Sequence, residues 1–443
     1  MISIARIELR RSGALWASLL VLGVSAGLLY NARMRWPSGY MLLAMDQRWY
    51  LSLLAALAVA AGAFQARRER RSQVMELFAS VARPRAQQVV PLLLVYGVTA
   101  FLAYIGAWVL AALSMVGTAE YLQAGAVAGV VVAGAVATVA AAWFGLAVGR
   151  MAPNPLTAPA LAIAVFATPL IARGVTGRRE WLSTLLFSGY GLGGSPTDFA
   201  TVPGRFSLAQ LLYLTGLAAG LALLFAADRW RSGVAAVLPV LLGVAAAVVV
   251  LQGGSAFVKD PIDPVARELI CTRDAPRVCV ARLHSGVLGE VTPPARAALA
   301  RLARLPGAPS RAAEHLDGDP LVAGRYPDSL LIPVTIGEDG HANHLDTLEA
   351  IMVYNVGVRP FVCPDDAAGP DAPVVDAATA WLFGTDPAEL RFVSAADIDR
   401  SRELWRKLRD LDEPDAAARV AAVRRAVLTC SPGDDLLLTR PAP

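Results

Sequence analysis

Apolar residues in the first 253 positions gather into seven runs separated by short polar or basic connections; beyond them the pattern breaks into short alternating segments. A bilayer core takes about 20 helical residues to cross. Runs near 12–30, 49–66, 89–113, 125–149, 155–172, 208–227 and 234–253 reach or approach that length, which predicts seven transmembrane helices. None of these runs contains Asp, Glu, His, Lys or Arg. Proton-driven carriers keep ionisable relays at membrane depth, so the pattern counts against one, while sodium coupling through carbonyls and hydroxyls stays open. The connection 173–207 differs from the others. Its EWLSTLLFSGYGLGG is too short to span and too apolar for a solvated loop, which suits a re-entrant or interfacial helix pair, or a surface helix packed on the C-terminal part.

From Ser255 the texture is that of an α+β globular domain. RVCVARLH and SLLIPVTIG read as strands. TPPARAALARLARLP reads as a helix capped by Thr292 with Pro293 at its first position. SAADIDRSRELWRKLRDL carries a Ser394/Asp397 capping pattern followed by Ile398, Leu404, Trp405, Leu408 and Leu411 on one face. The fold class expected is a polytopic α-helical membrane protein with a C-terminal α+β extracytoplasmic domain, divided 1–253 and 254–443.

Charge sharpens this division. Before Gly254 lie 8 acidic and 19 basic residues, net +11; after it lie 28 acidic and 21 basic, net −7. The excess positive charge sits between apolar runs, so it argues for membrane topology and against nucleic-acid binding. With a cytoplasmic N-terminus, inside segments carry twelve arginines and outside loops, counting Arg33, Arg35 and Arg48, carry seven. An odd number of spans then puts the C-terminal domain outside a cell membrane. Its four cysteines, Cys271, Cys279, Cys363 and Cys430, fit an oxidising compartment, with four buried thiols as the alternative. Asp274, Ala275 and Pro276 suit a turn that brings Cys271 to Cys279, leaving Cys363 for Cys430, although four cysteines permit three pairings. A cleaved signal peptide is the rival for the first span.

The segment RRERRSQVMELFASVARPRAQ, Arg67 to Gln87, holds an apolar group at helical spacing inside a basic loop: Val74, Met75, Leu77, Phe78 and Val81, with Glu76 in its first turns. Ser72 can start a short helix and Pro84 ends it. Its apolar side fits a protein groove, or alternatively the inner leaflet. With the amphipathic start MISIARIELRRS and the apolar piece before the sixth span, residues 1 to 230 resemble an ABC transporter permease of the ABC-2 (type V exporter) kind. The resemblance implies paired six-span subunits, as a homodimer or with a second permease. It also implies that Val74, Met75, Glu76, Leu77, Phe78 and Val81 contact a separate ATP-binding subunit, which would hold ATP and magnesium. The seventh span and large outer domain depart from that pattern.

Other chemistry is sparse. Only Lys259 and Lys407 are present and neither follows glycine, so there is no Walker A loop and no resident nucleotide cofactor is expected. GYGLGGSP follows no strand and reads as a hinge or tight turn. His341 and His344 stand three apart in HANHLDTLE, where zinc peptidases need H-E-x-x-H. With Asp346 or Glu349 they form a weak metal candidate, or a polar turn entering a helix at Leu345. The leading expectation is a non-enzymatic exporter subunit moving a hydrophobic or amphipathic substrate. A receptor or accessory protein sensing a ligand outside, or a membrane-anchored metallohydrolase, are the alternatives.

Overall fold

The computed structural model describes residue 9 and residues 12–71, 85–176, 197–227, 230–252, 261–316, 328–354, 369–391 and 393–439. Its contacts divide the chain into two compact units. The first comprises Met1–Val116 with Leu122–Asp263, the second Gly117–Tyr121 with Pro264–Pro443.

The first unit is helical: α1 (Ala14–Asn31), α2 (Tyr40–Trp49), α3 (Leu51–Arg71), α4 (Arg85–Leu113), α5 (Ala124–Met151), α6 (Thr157–Thr176), α7 (Gly204–Ala226), α8 (Trp230–Ala235) and α9 (Val237–Gln252). Among the described residues five helices are long and apolar enough to cross a membrane, and the pair α2 and α3, bent by 52° at Tyr50, is a sixth candidate; the sequence predicts seven, and the apolar part of α6, Thr157–Thr168, is the one that falls short. A membrane protein is the fold class this composition supports. Leu19, Leu20, Leu102, Leu110, Leu238, Leu241 and Val249 remain exposed on these helices, as lipid-facing residues do.

Two buried clusters reveal alternating helix direction. One gathers Ala14 at the start of α1, Ala66 late in α3, Leu92 early in α4, Leu146 late in α5 and Phe225 at the end of α7. The other gathers Val21, Leu51 and Leu54 of early α3, Tyr104 of α4, Val127 and Val130 of early α5, Phe206 and Ala209 of early α7, and Leu251 at the end of α9. Small residues allow the tightest crossing. A Cβ on Gly62 or Gly145 would overlap the carbonyl of Ala142 or Val59 on the facing helix, so α3 and α5 approach to backbone contact.

The second unit holds a four-stranded mixed sheet of β1 (Leu269–Cys271), β2 (Arg277–Ala281), β3 (Arg311–Glu314) and β4 (Ser329–Ile332) in that order. β1 and β2 pair antiparallel with Cys271 opposite Cys279, while β2, β3 and β4 run parallel. Helices α10 (Leu288–Leu302), α11 (Leu345–Ile351), α12 (Ala372–Phe383), α13 (Ile398–Arg409) and α14 (Glu413–Thr429) complete it. Val278, Val280, Val291, Leu302, Ile332, Val375, Leu382, Leu404, Leu408 and Val420 share one core. The expected strands and the Leu404/Trp405/Leu408 face are present. The expected cap at Thr292 is not. α10 starts earlier, at Leu288, with Pro293 and Pro294 inside it, and the Thr292 hydroxyl donates back to the Leu288 carbonyl at 2.6 Å. Burial of Val287 and Val291 outweighs the local capping signal. Asp397 precedes α13 without a side-chain capping bond.

Candidate functional site

The membrane unit buries a polar layer that the apolar runs concealed. α1 ends at Asn31, the chain turns through Trp36, whose indole donates to the Leu29 carbonyl at 3.2 Å, and Pro37-Ser38-Gly39 leads into α2. α2 then runs back among the spans. Its ten residues are about 15 Å long, half a hydrocarbon core. Leu42 through Arg48 are all buried, so Asp46, Gln47 and Arg48 sit inside the bundle and not in a solvated outer loop.

Each of the three side chains takes a different direction, because successive helical residues are turned by about 100°. Asp46 pairs with Arg35 at 3.1 Å. Gln47 donates to the Ser25 hydroxyl of α1 at 3.2 Å and to the Tyr104 carbonyl of α4 at 2.9 Å. Arg48 donates to the Val130 carbonyl of α5 at 3.1 Å and to Gln210 Oε1 of α7 at 2.7 Å. Val130 and Gln210 are each the seventh residue of their helix, about 9 Å in from its start. One short helix thereby ties four of the long apolar helices together inside the bundle. The seven apolar runs are free of charged residues, but the bundle is not, and the placement of Arg48 in an outside loop is corrected to a buried position on α2. Arg48 cannot serve as a proton relay, since a guanidinium does not give up its proton in proteins.

The second unit buries a different pair. His284 Nδ1 lies 2.6 Å from Glu314 Oε1, with both side chains almost fully buried, and Glu314 Oε2 accepts from the Ala281 amide at 2.7 Å. Glu314 ends β3 and Ala281 ends β2, so the carboxylate clamps the adjacent strand ends. Nearer solvent, His341 Nδ1 lies 2.6 Å from Glu290 Oε1 and the Ala342 amide donates to Glu290 Oε2 at 2.9 Å. That hydrogen bond, reinforced by the carboxylate's charge, raises the His341 pKa above its ordinary 6.5.

Of the residues singled out by sequence, His341 faces Glu290, and His344 takes a left-handed conformation at the start of α11, so the polar-turn alternative fits this stretch. Glu349 pairs with Arg301. Among the described residues no group of three His, Cys, Asp or Glu side chains is placed to hold a metal ion. Cys271 and Cys279 form a disulfide, and Cys430 is also disulfide-bonded. Cys363 lies outside the described residues, as do Val74, Met75, Glu76, Leu77, Phe78, Val81 and the EWLSTLLFSGYGLGG piece. The polar layer left one trace in the sequence: Trp36, Tyr40, Trp49 and Tyr50 bracket it with aromatics of the kind found where helices meet a membrane surface. No protein-family model, no curated protein and no solved structure matches this chain.

Proposed function

We propose that this chain is the membrane-spanning subunit of an ATP-driven exporter, working with a separate ATP-binding subunit and moving a hydrophobic or amphipathic substrate. The observation that carries the proposal is the alternating bundle. Its two clusters bring the late part of α3 and the early part of α4 to one end of the bundle, which supports reading the basic sequence between these helices as a cytoplasmic connection. Arg150 caps the same end by donating to the Phe225 carbonyl. Taking Arg48 out of the outer loops strengthens the arginine bias toward a cytoplasmic N-terminus.

The topology has further support. The backbone pairing of Ala200 with Ile262, and the Asp263 amide bonded to the Phe199 carbonyl at 2.9 Å, join the segment before α7 to the segment after α9. With the seven spans expected from the sequence and a cytoplasmic start, the segments before α7 and after α9 both fall on the outer side, as their pairing requires. The test is substitution of Leu77 or Phe78 by Asp, which puts an unpaired charge into any docked groove at a loss of several kcal/mol. Copurification of an ATP-binding subunit is expected to fail while membrane insertion survives. Copurification and export retained in both variants would contradict the proposal.

A further inference from the structure

The polar layer around Arg48 is not closed by its own hydrogen bonds: Gln47 Oε1 and the Asp46 carboxylate oxygens, the latter facing Arg35, lack hydrogen-bond donors, and a separate set of donors lacks acceptors. Arg48, Tyr104 and Ser207 are each at least nine-tenths buried, and Arg48 Nε, Tyr104 Oη and Ser207 Oγ have no hydrogen-bond partner among the described residues. The indole nitrogen of Trp108, one turn beyond Tyr104 on α4, is in the same condition. All three buried side chains meet one stretch of α5. Arg48 bonds the Val130 carbonyl, a Cβ on Gly129 would meet Ser207 at 3.0 Å, and the Tyr104 hydroxyl lies against Gly134. Gly129 to Gly134 spans about 8 Å of helix, and Tyr104 is within electrostatic reach of Arg48.

The charge is as informative as the donors. Both hydrogen-bond acceptors of Arg48, the Val130 carbonyl and Gln210 Oε1, are neutral. The neighbouring carboxylate, Asp46, is engaged with Arg35. A buried guanidinium is poorly accommodated by neutral acceptors alone, whereas a phosphate or carboxylate supplies both the charge and the oxygens that such donors fit. The surroundings are apolar: Leu54, Val127, Val131, Phe206 and Ala209 pack around the layer.

We propose that Arg48, with Tyr104 and Ser207, forms an anion-recognition site in the membrane unit that takes the phosphate or carboxylate headgroup of an amphiphile. This names the substrate class of the exporter proposed above and rests on that reading. Its apolar walls favour a headgroup carried on a hydrocarbon chain over a free ion.

Radiolabelled dodecyl phosphate, titrated into the purified full chain in phosphatidylcholine nanodiscs, tests it. Wild-type protein is expected to bind dodecyl phosphate at least about tenfold more tightly than the neutral dodecyl maltoside. Arg48→Gln is expected to abolish that preference, Tyr104→Phe, which keeps the ring packing, to weaken it several-fold, and Arg33→Gln to leave it unchanged. Equal binding by wild type and both Arg48→Gln and Tyr104→Phe would overturn the proposal, and so would binding that inorganic phosphate abolishes. Copurification of the ATP-binding subunit is followed in the same preparations. Lost headgroup preference with the subunit still bound is the expected result for Arg48→Gln, whereas headgroup binding in wild type without any such subunit counts against the exporter reading alone.

Discussion

The two units each bury a polar side chain of basic type, and they accommodate it in opposite ways. In the C-terminal unit His284 Nδ1 faces the Glu314 carboxylate, whose second oxygen holds the Ala281 amide, so the basic group has an acidic partner and the carboxylate ties two strands. In the membrane unit Arg48 leans on a helix carbonyl and a glutamine amide, and among the described residues no carboxylate pairs with it. The first arrangement is what a stable domain needs. The second adds little to stability, and a side chain kept at such a place points to a task.

Three variants sharpen or break that contrast. Glu314→Ala removes an acceptor from two buried donors and is expected to destabilise the C-terminal unit by about 3 kcal/mol. Hydrogen exchange of β2 and β3 peptides in the full chain should show the loss of protection, and unchanged protection would mean the clamp is not structural. Arg48→Met removes a buried charge together with its desolvation penalty, so thermal stability is expected to stay within about 1 kcal/mol of wild type. A loss as large as that of Glu314→Ala would make Arg48 a structural residue and erase the contrast.

The smallest effect belongs to the exposed pair. Glu290 raises the pKa of His341, so the contribution of their contact is fully present below about pH 6.5 and fades as pH rises through the higher folded value. The chain has only four histidines, so selective isotope labelling gives resolvable titrations. The His341 midpoint is expected above 6.5 in wild type and to fall toward it in Glu290→Gln.

Long apolar runs announced α1, α4, α5, α7 and α9, because desolvation at that length leaves a chain few options. The strand pair around Cys271 and Cys279 was equally legible, since a turn signal and alternation act locally. α2 was hidden. Asp46, Gln47 and Arg48 look like loop residues until Ser25, Tyr104, Val130 and Gln210, up to 162 positions away, are folded around them. The start of α10 was hidden for the same reason: burial of Val287 and Val291 is decided by the sheet they pack on, and no local window contains it. The His284–Glu314 clamp joins residues 30 apart with no spacing that marks them as partners.

The central claim is that the Val74 to Val81 segment docks on an ATP-binding subunit, and a photo-crosslinking residue at Phe78 tests it most directly. Irradiation of native membranes containing the full chain, followed by mass spectrometry, is expected to yield an adduct with a protein that carries a Walker A loop. Adducts with lipid alone, under conditions in which export still proceeds, would contradict it.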